Sequence, residues 1–499
     1  MLLLSFGAIA IRAQNLGQGG AISMREALDN ALLQNRTLQV ERISQEVAQN
    51  RVSLAGAYYD PLFTTRYSRE ESSDPGGFDP LNPAVDSPYQ ADLDLVSADV
   101  SGFLPSGLNY RLDGRYVHSS GTRDFLNFDS YKVDAGFYAE QPLLRNFWID
   151  LPRWQIKVNK QNLKVTELGV HFIAMTVIHQ TQVAYYDLAY AWENLRALQS
   201  LASTRQDLLR STQQRVRFGM GTTVEEKWAL AEMAEAQHNL VLASNQVATA
   251  SNNLRTLMGV APENWTQVPL EASDALLTIP QTFNVSESWR VGLRQRPDLL
   301  QLAVNVETAD LTLKYYRNQL LPSLNLFGSY KLKGADSIRA FPTIQPEADL
   351  SLALEQIEDR AAPNSAVGIL FSLPLGFRAE RANYRSGKEL KKQADLLVKQ
   401  KEEMILREIA DAVDQARFSF DRVEAAREAV RYTADAADVE EVRQARGAGL
   451  LQLVFEAQEN VANARIAEAA ARRDYNTALS RLYYTEGTLL ERIQMDVLF

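Results

Sequence analysis

The chain contains no cysteine among its 499 residues, which rules out disulfides, thiolate metal sites and a lipidated N-terminal cysteine together. Histidine is nearly as scarce. His118, His171, His179 and His238 are the only four, and no two stand in an HExxH or comparable metal-binding arrangement. Lys and Arg number 52 against 62 Asp and Glu, for a formal charge of -10 and a pI near 5.2. The basic surface that a nucleic-acid partner requires is therefore missing. Beyond the N-terminus no stretch of about 18 apolar residues runs unbroken, so no helical membrane span is expected; mean hydropathy is -0.25. The N-terminal stretch MLLLSFGAIAIRAQN is apolar and reads as a secretion signal over residues 1–13, cut near Ala13.

What is present is written twice. Asn35–Gln39 (NRTLQ) matches Arg296–Leu300 (RPDLL), and the same interval of 261 separates Pro61 from Pro322. Pro142 and Pro374 lie 232 apart. From there a spacing of 228 relates Arg153 to Arg381, Gly221 to Gly449, Leu254 to Leu482 and Gly259 to Gly487. A period of this size marks an internal duplication. The first unit spans 21–260, with a β segment at about 58–141 and a helical hairpin at about 153–258. The second spans 282–488, with a β segment at about 322–374 and a hairpin at about 378–486.

Each unit contains a long proline-free helical run, Arg153–Arg217 and Arg378–Arg446, about 100 Å at 1.5 Å per residue. The helix after each run is patterned in sevens. Ala229, Met233, Ala236, Leu240, Ala243, Val247, Ala250, Leu254 and Leu257 alternate steps of four and three, and Ala457, Ala464, Ala471 and Ala478 repeat the small positions. Small residues every seventh position predict close side-by-side packing with left-handed supercoiling.

The intervening segments alternate at period two and are rich in aromatics, as in YYDPLFTTRY (Tyr58–Tyr67) and YKVDAGFYAEQ (Tyr131–Gln141). They predict strands, of a kind that suits an outer-membrane barrel or a soluble sandwich. The polar span Ser68–Ala91 reads as a long exposed loop. Pro61 to Pro142 is about 29 residues longer than its counterpart, and Val96–Ser120 has room for an additional hairpin turning at Leu104-Pro105-Ser106-Gly107.

RFGMGTTVEEK (Arg217–Lys227) breaks the first long helix. Arg217 and Gly219 end it, and Thr222 with Glu225, or Thr223 with Glu226, restarts it through a capping box. These hairpins, the turns GMGTT and GAGLL followed by WALAEMAEAQ and FEAQENVANAR, the strand-edge motifs QPLL and LLPSL, and the opening ALDNALLQNRTLQ together resemble the TolC family of outer-membrane efflux and secretion channels over about residues 21–490. The resemblance implies a mainly α fold with a membrane β-barrel: a homotrimer whose outer-membrane β-barrel continues into a long periplasmic α-barrel. The family's usual four strands per protomer undercount a chain with an additional hairpin. The resemblance also implies a periplasmic adaptor (membrane fusion protein), an inner-membrane transporter and outer-membrane lipid as partners, with no cofactor.

In the resemblance, adaptors dock at the hairpin tips, which here are Met220-Gly221-Thr222 and Ala448-Gly449-Leu450. They keep the family's glycine but not its flanking side chains. Asp435, Asp438 and Glu441 recur every three residues before the second tip, where the family carries the acidic residues of its periplasmic gate. Arg443 and Arg446 are nearby partners for Glu441. An enzyme finds no support: GMGTT lacks the strand and lysine of a phosphate loop. The other reading left open is an elongated coiled-coil structural or adaptor protein of the cell envelope, without a pore.

Overall fold

The computed structural model describes residues 20–75, 77–79, 82–86, 89–123, 126–265, 268–446 and 448–493; the expected signal at 1–13 lies outside them. In chain order the first half contains β1 (Ala21–Ile22), α1 (Met24–Gln34), α2 (Arg36–Gly56), β2 (Leu62–Asp74), β3 (Gly77–Asp79), β4 (Asn82–Asp86), β5 (Tyr89–Phe103), β6 (Asn109–Arg123), β7 (Leu126–Pro142), α3 (Leu151–Arg217), α4 (Thr223–Leu257) and β8 (Glu271–Ala272). The second contains α5 (Val285–Gln295), α6 (Pro297–Gln319), β9 (Ser323–Ala340), α7 (Leu350–Glu358), β10 (Pro363–Ser372), α8 (Arg378–Ala445), α9 (Leu451–Glu486) and α10 (Leu489–Arg492). Among the described residues no helix is long and apolar enough to cross a membrane.

These residues form two compact units. One comprises the described parts of Met1–Glu46 with Lys164–Val304 and Leu396–Phe499; the other comprises Val47–Leu163 and Asn305–Asp395.

The first unit is helical and its core is duplicated. Ala184, Tyr185 and Leu254 are buried together in one cluster, and the residues 228 further on, Ala412, Val413 and Leu482, are buried together in another. Polar locks repeat in the same places. Asn35 Nδ2 donates to the Leu257 carbonyl at 2.8 Å, and Arg296 Nη1 donates to the Thr485 carbonyl at 3.4 Å. Arg296 is buried and also pairs with Asp298 at 2.7 Å and Glu408 at 2.5 Å, while Lys401 reaches Asp298 at 2.7 Å. Burial pushes the Asp298 carboxyl up, but its bonds from Arg296 and Lys401 outweigh this and hold it below the usual range. The seven-residue seam of α4 is buried at Ala229, Ala236, Ala243, Val247 and Leu254. In α9 the seam shifts: Ala471 and Ala478 are buried, but Ala457 and Ala464 are only half-buried, and Val454, Phe455, Ala462 and Ala469 take over. The large Phe455, which packs with Leu209 and Ala229, replaces small-residue packing at that level.

The second unit is built on one six-stranded antiparallel sheet in the order β10-β9-β7-β6-β5-β2. The β5–β6 turn falls at Leu104–Gly107, where the Leu104 N–H donates to the Leu108 carbonyl at 2.8 Å. Ser68–Ala91 corrects the loop expectation. β2 runs on to Asp74, paired with β5 from Tyr89, because its polar side chains leave the main-chain ladder from Ser68↔Leu95 to Asp74↔Tyr89 free to form.

The sheet has two chemically distinct faces. Register places Phe63, Tyr67, Val96, Val100, Leu112, Tyr116, Val133, Phe137, Tyr330, Val367, Ile369 and Phe371 on one side. The opposite side has Arg66, Asp99, Arg111, Asp113, Arg115, Asp134 and Lys331, with Arg115 paired to Asp134 at 3.0 Å and Lys331 to Asp113 at 2.8 Å. The apolar side is exposed to solvent, which a soluble sandwich would bury, and Arg66, Arg111 and Arg115 on the charged side are exposed as well.

Candidate functional site

The tips are built by local hydrogen bonding. α3 ends in a Schellman motif: Gly219, at φ 71°, donates to Val216 at 3.0 Å and Met220 donates to Arg215 at 2.8 Å. α4 starts in the Thr222/Glu225 box, with the Glu225 N–H donating to Thr222 Oγ1 at 3.3 Å and the Thr222 N–H to Glu225 Oε2 at 2.9 Å. Thr222, not Thr223, is the cap. Met220 and Gly221 alone remain between them, and Met220 is 66% exposed beside exposed Phe218 and Val224.

The second tip repeats one closing bond and lacks the cap. The Ala448 N–H donates to the Arg443 carbonyl at 3.0 Å, 228 residues after the Met220–Arg215 bond, but Leu450 at the N-cap of α9 supplies no side-chain hydrogen bond. Leu450 is 68% exposed, near exposed Val442 and Val439. A Cβ on Gly449 would lie 2.8 Å from the Gln444 nitrogen and 3.0 Å from its Cα, both main-chain atoms, whereas at Gly221 the nearest atoms are 3.1 Å or more away. Gly449 is thus required by its own turn, and Gly221 is merely tight.

Asp435, Asp438 and Glu441 are all exposed on the last turns of α8. Asp438 and Glu441 line a groove with Ser200 and Thr204 of α3 and Gln458 and Arg465 of α9; Asp435 is not part of it. Glu441 accepts from Gln458 Nε2 at 2.9 Å, and Arg443 pairs with Glu440 at 2.8 Å instead of Glu441.

Sequence reasoning missed Arg205, 2% exposed near the tips. Its guanidinium donates to the Glu232 carbonyl at 3.1 Å and pairs with the Glu232 carboxylate at 2.9 Å and Glu459 at 3.2 Å, tying α3 to both return helices. Burial pushes Glu232 up, against the pull of Arg205. The available signal was an arginine among apolar seam positions, since Arg205 lies four residues before buried Leu209. Among the described residues no group of His, Asp and Glu can hold a metal ion.

Comparison with known proteins gives these features a setting. No curated protein matches the chain in sequence. Solved structures do match in fold. The CmeC outer membrane channel of Campylobacter jejuni is 16% identical with a TM-score of 0.65, covering 93% of this chain and 86% of its own. VceC of Vibrio cholerae is 17% identical with a TM-score of 0.66 over 93% of this chain and 96% of its own. The open-state MtrE channel of Neisseria gonorrhoeae is 17% identical with a TM-score of 0.62 over 95% and 91%. At such identities the likeness is one of fold. The model of the outer membrane efflux protein family matches residues 153–260 and 292–488, the two helical hairpins with the second β segment. With more than half of its length matched and its α-and-β channel fold, the chain belongs to the outer membrane efflux protein family, the TolC-type channels.

Proposed function

We propose that the protein is the outer-membrane exit duct of a tripartite efflux pump or type I secretion system, passing substrates from the periplasm or an inner-membrane transporter to the outside. The observation that carries this reading is the sheet with an exposed apolar face and a charged opposite face, with no membrane-spanning helix among the described residues. A poreless coiled-coil envelope protein has no use for that apolar face. The working form is a homotrimer in the outer membrane extending into the periplasm, with a periplasmic adaptor seated on the hairpin tips.

The exposed apolar side chains Phe218, Met220, Val224 and Leu450 support the tips as the docking surface. Met220-Gly221-Thr222 and Ala448-Gly449-Leu450 are the segments that meet the adaptor. Asp435 and Asp438 carry the gate: repeated by threefold symmetry, such carboxylates attract cations, and neither has an ion pair among the described residues. Glu441, engaged by Gln458, contributes least.

Single-channel conductance in a planar bilayer tests the reading. Wild type conducts and is blocked by millimolar divalent cation on the periplasmic side; Asp435→Ala with Asp438→Ala loses most of the block and some cation selectivity. Equal block in both places these carboxylates outside the pore, and no conductance from wild type rejects the channel. Met220→Glu with Leu450→Glu abolishes adaptor cross-linking while the trimer persists, and unchanged cross-linking rejects the tips as the docking surface.

A further inference from the structure

The sheet has six strands, all long, and its two outer strands are bare. β2 presents Leu62, Phe63 and Tyr67 to solvent, and β10 presents Val367, 83% exposed, with Ile369 and Phe371. Unpaired apolar edges are templates for another chain, which proteins normally blunt or cover. This chain does cover the one edge that needs no partner. β10 stops opposite Leu332 while β9 continues to Ala340. Just beyond that stop the Gln356 carboxamide of α7 caps the open main chain, accepting from the Ala335 N–H and donating to the Ala335 carbonyl, both at 3.1 Å. Capping ends where β10 begins, so β10 and β2 are the edges left for pairing.

The strand number follows from where the β5–β6 hairpin sits. It is not an appendage: β5 pairs with β2 from Tyr89 to Ser101, and β6 pairs with β7 along its whole length. The hairpin extends both faces of the sheet. Val96, Val100, Leu112 and Tyr116 continue the apolar side, and on the other Lys331 of β9 crosses Gly136 of β7 to reach Asp113 of β6. Six is an even number, so antiparallel alternation continues from β10 of one copy to β2 of the next.

Building on the trimeric channel reading, we infer that three copies of this chain close an eighteen-stranded barrel, in place of the twelve strands that four per protomer produce. Strands about 4.8 Å apart and tilted by about 40° give a backbone diameter of about 36 Å for eighteen and about 24 Å for twelve. The added hairpin thus widens the exit about 1.5-fold. Its Asp99, Arg111, Asp113 and Arg115 line the enlarged lumen, which accommodates bulkier hydrophilic cargo than a twelve-stranded exit does.

Two measurements on the full-length protein test this. Cryo-electron microscopy of the trimer in lipid nanodiscs shows eighteen wall strands, and a variant lacking residues 89–123, in which β2 can lead directly into β7, shows twelve. Should that variant not fold, the native absence of cysteine allows a second arm. Thr65→Cys with Ala98→Cys, directly opposed on β2 and β5, forms a disulfide within each protomer of trimers in isolated outer membranes. A parent trimer with twelve wall strands, or no Thr65→Cys/Ala98→Cys disulfide in the assembled trimer, overturns the inference and leaves the channel reading intact. A purified protein that forms no trimeric barrel overturns the channel reading itself.

Discussion

The two helical hairpins are copies of one pattern, and what they share differs in kind from what separates them. Packing is shared. The buried trio Ala184, Tyr185 and Leu254 recurs as Ala412, Val413 and Leu482, and Gly259 and Gly487 have φ of 72° and 78°. Charge is shared only in part. Arg205 of α3 corresponds to Thr433 of α8, whose hydroxyl donates back to its own helix at the Ala429 carbonyl. The acidic positions 435, 438 and 441 correspond to Asp207, Arg210 and Gln213, of which the first two pair with each other at 3.3 Å. Backbone geometry tolerates few alternatives, so both copies keep it; exposed charge is thermodynamically cheap to change. Each copy was therefore free to acquire its own electrostatic role.

The largest test of this comparison is at the paired glycines. A Cβ on Gly259 would lie 2.2 Å from the Gln34 carbonyl oxygen, whereas one on Gly487 would lie 3.0 Å from the Gln295 carbonyl carbon. Gly259→Ala should cost ~3 kcal/mol and Gly487→Ala about half that, since both incur left-handed strain but only the first forces main chains apart. Chemical denaturation of the solubilised protein followed by circular dichroism reads both. Equal losses would show that the two sites are closer copies than their contacts indicate.

His179 offers the next effect. Burial lowers its pKa from 6.5 to about 4, assisted by Arg481, with Nδ1 2.8 Å from Ser480 Oγ and the ring stacked on Tyr484. The unfolded chain takes up the proton first, so this stabilisation is complete above pH 6.5 and is lost as pH falls towards 4. Wild type should lose ~2 kcal/mol by pH 5 from this site. His179→Gln should flatten the dependence in that window; an unaltered slope would mean that the ring is not held neutral. The corresponding position of the second hairpin is Arg407, which cannot titrate there.

Arg205→Ala should destabilise by ~1–2 kcal/mol, below the usual cost of breaking a buried pair because Glu232 and Glu459 keep some contact with water. Thr433→Ala should stay within ~0.5 kcal/mol. A comparable loss in both would erase the electrostatic difference between the hairpins. The tips also give small effects. Thr222→Ala should cost ~1 kcal/mol by removing the capping box, and Leu450→Ser should gain ~0.5 kcal/mol by supplying the missing cap. Hydrogen exchange at the first turns of α4 and α9 would report each change, and unaltered protection in α4 would show that the cap is not limiting.

Much of this was legible from residues a few positions apart. Proline-free runs become α3 and α8, Gly219 takes the left-handed conformation, Thr222 caps α4, and Leu104–Gly107 turns the extra hairpin. One reading failed where composition misled. Ser68–Asp74 is polar and was expected to be loop, yet it is strand because its main chain has a partner in β5. Spacing also could not tell that Asp438 and Glu441 line a groove between α3, α8 and α9 and that Asp435 does not.

The sequence by itself determined where helices start and stop, that the unit is duplicated, and which strands alternate, because those depend on hydrogen bonds and side-chain periods within a turn or two of chain. Tertiary structure alone decided that Arg205 meets Glu459, 254 residues away, that β7 pairs with β9, and that β2 and β10 are left as the open edges. Such choices are made between surfaces far apart in the chain, by desolvation and shape, and no local propensity encodes which distant partner satisfies them.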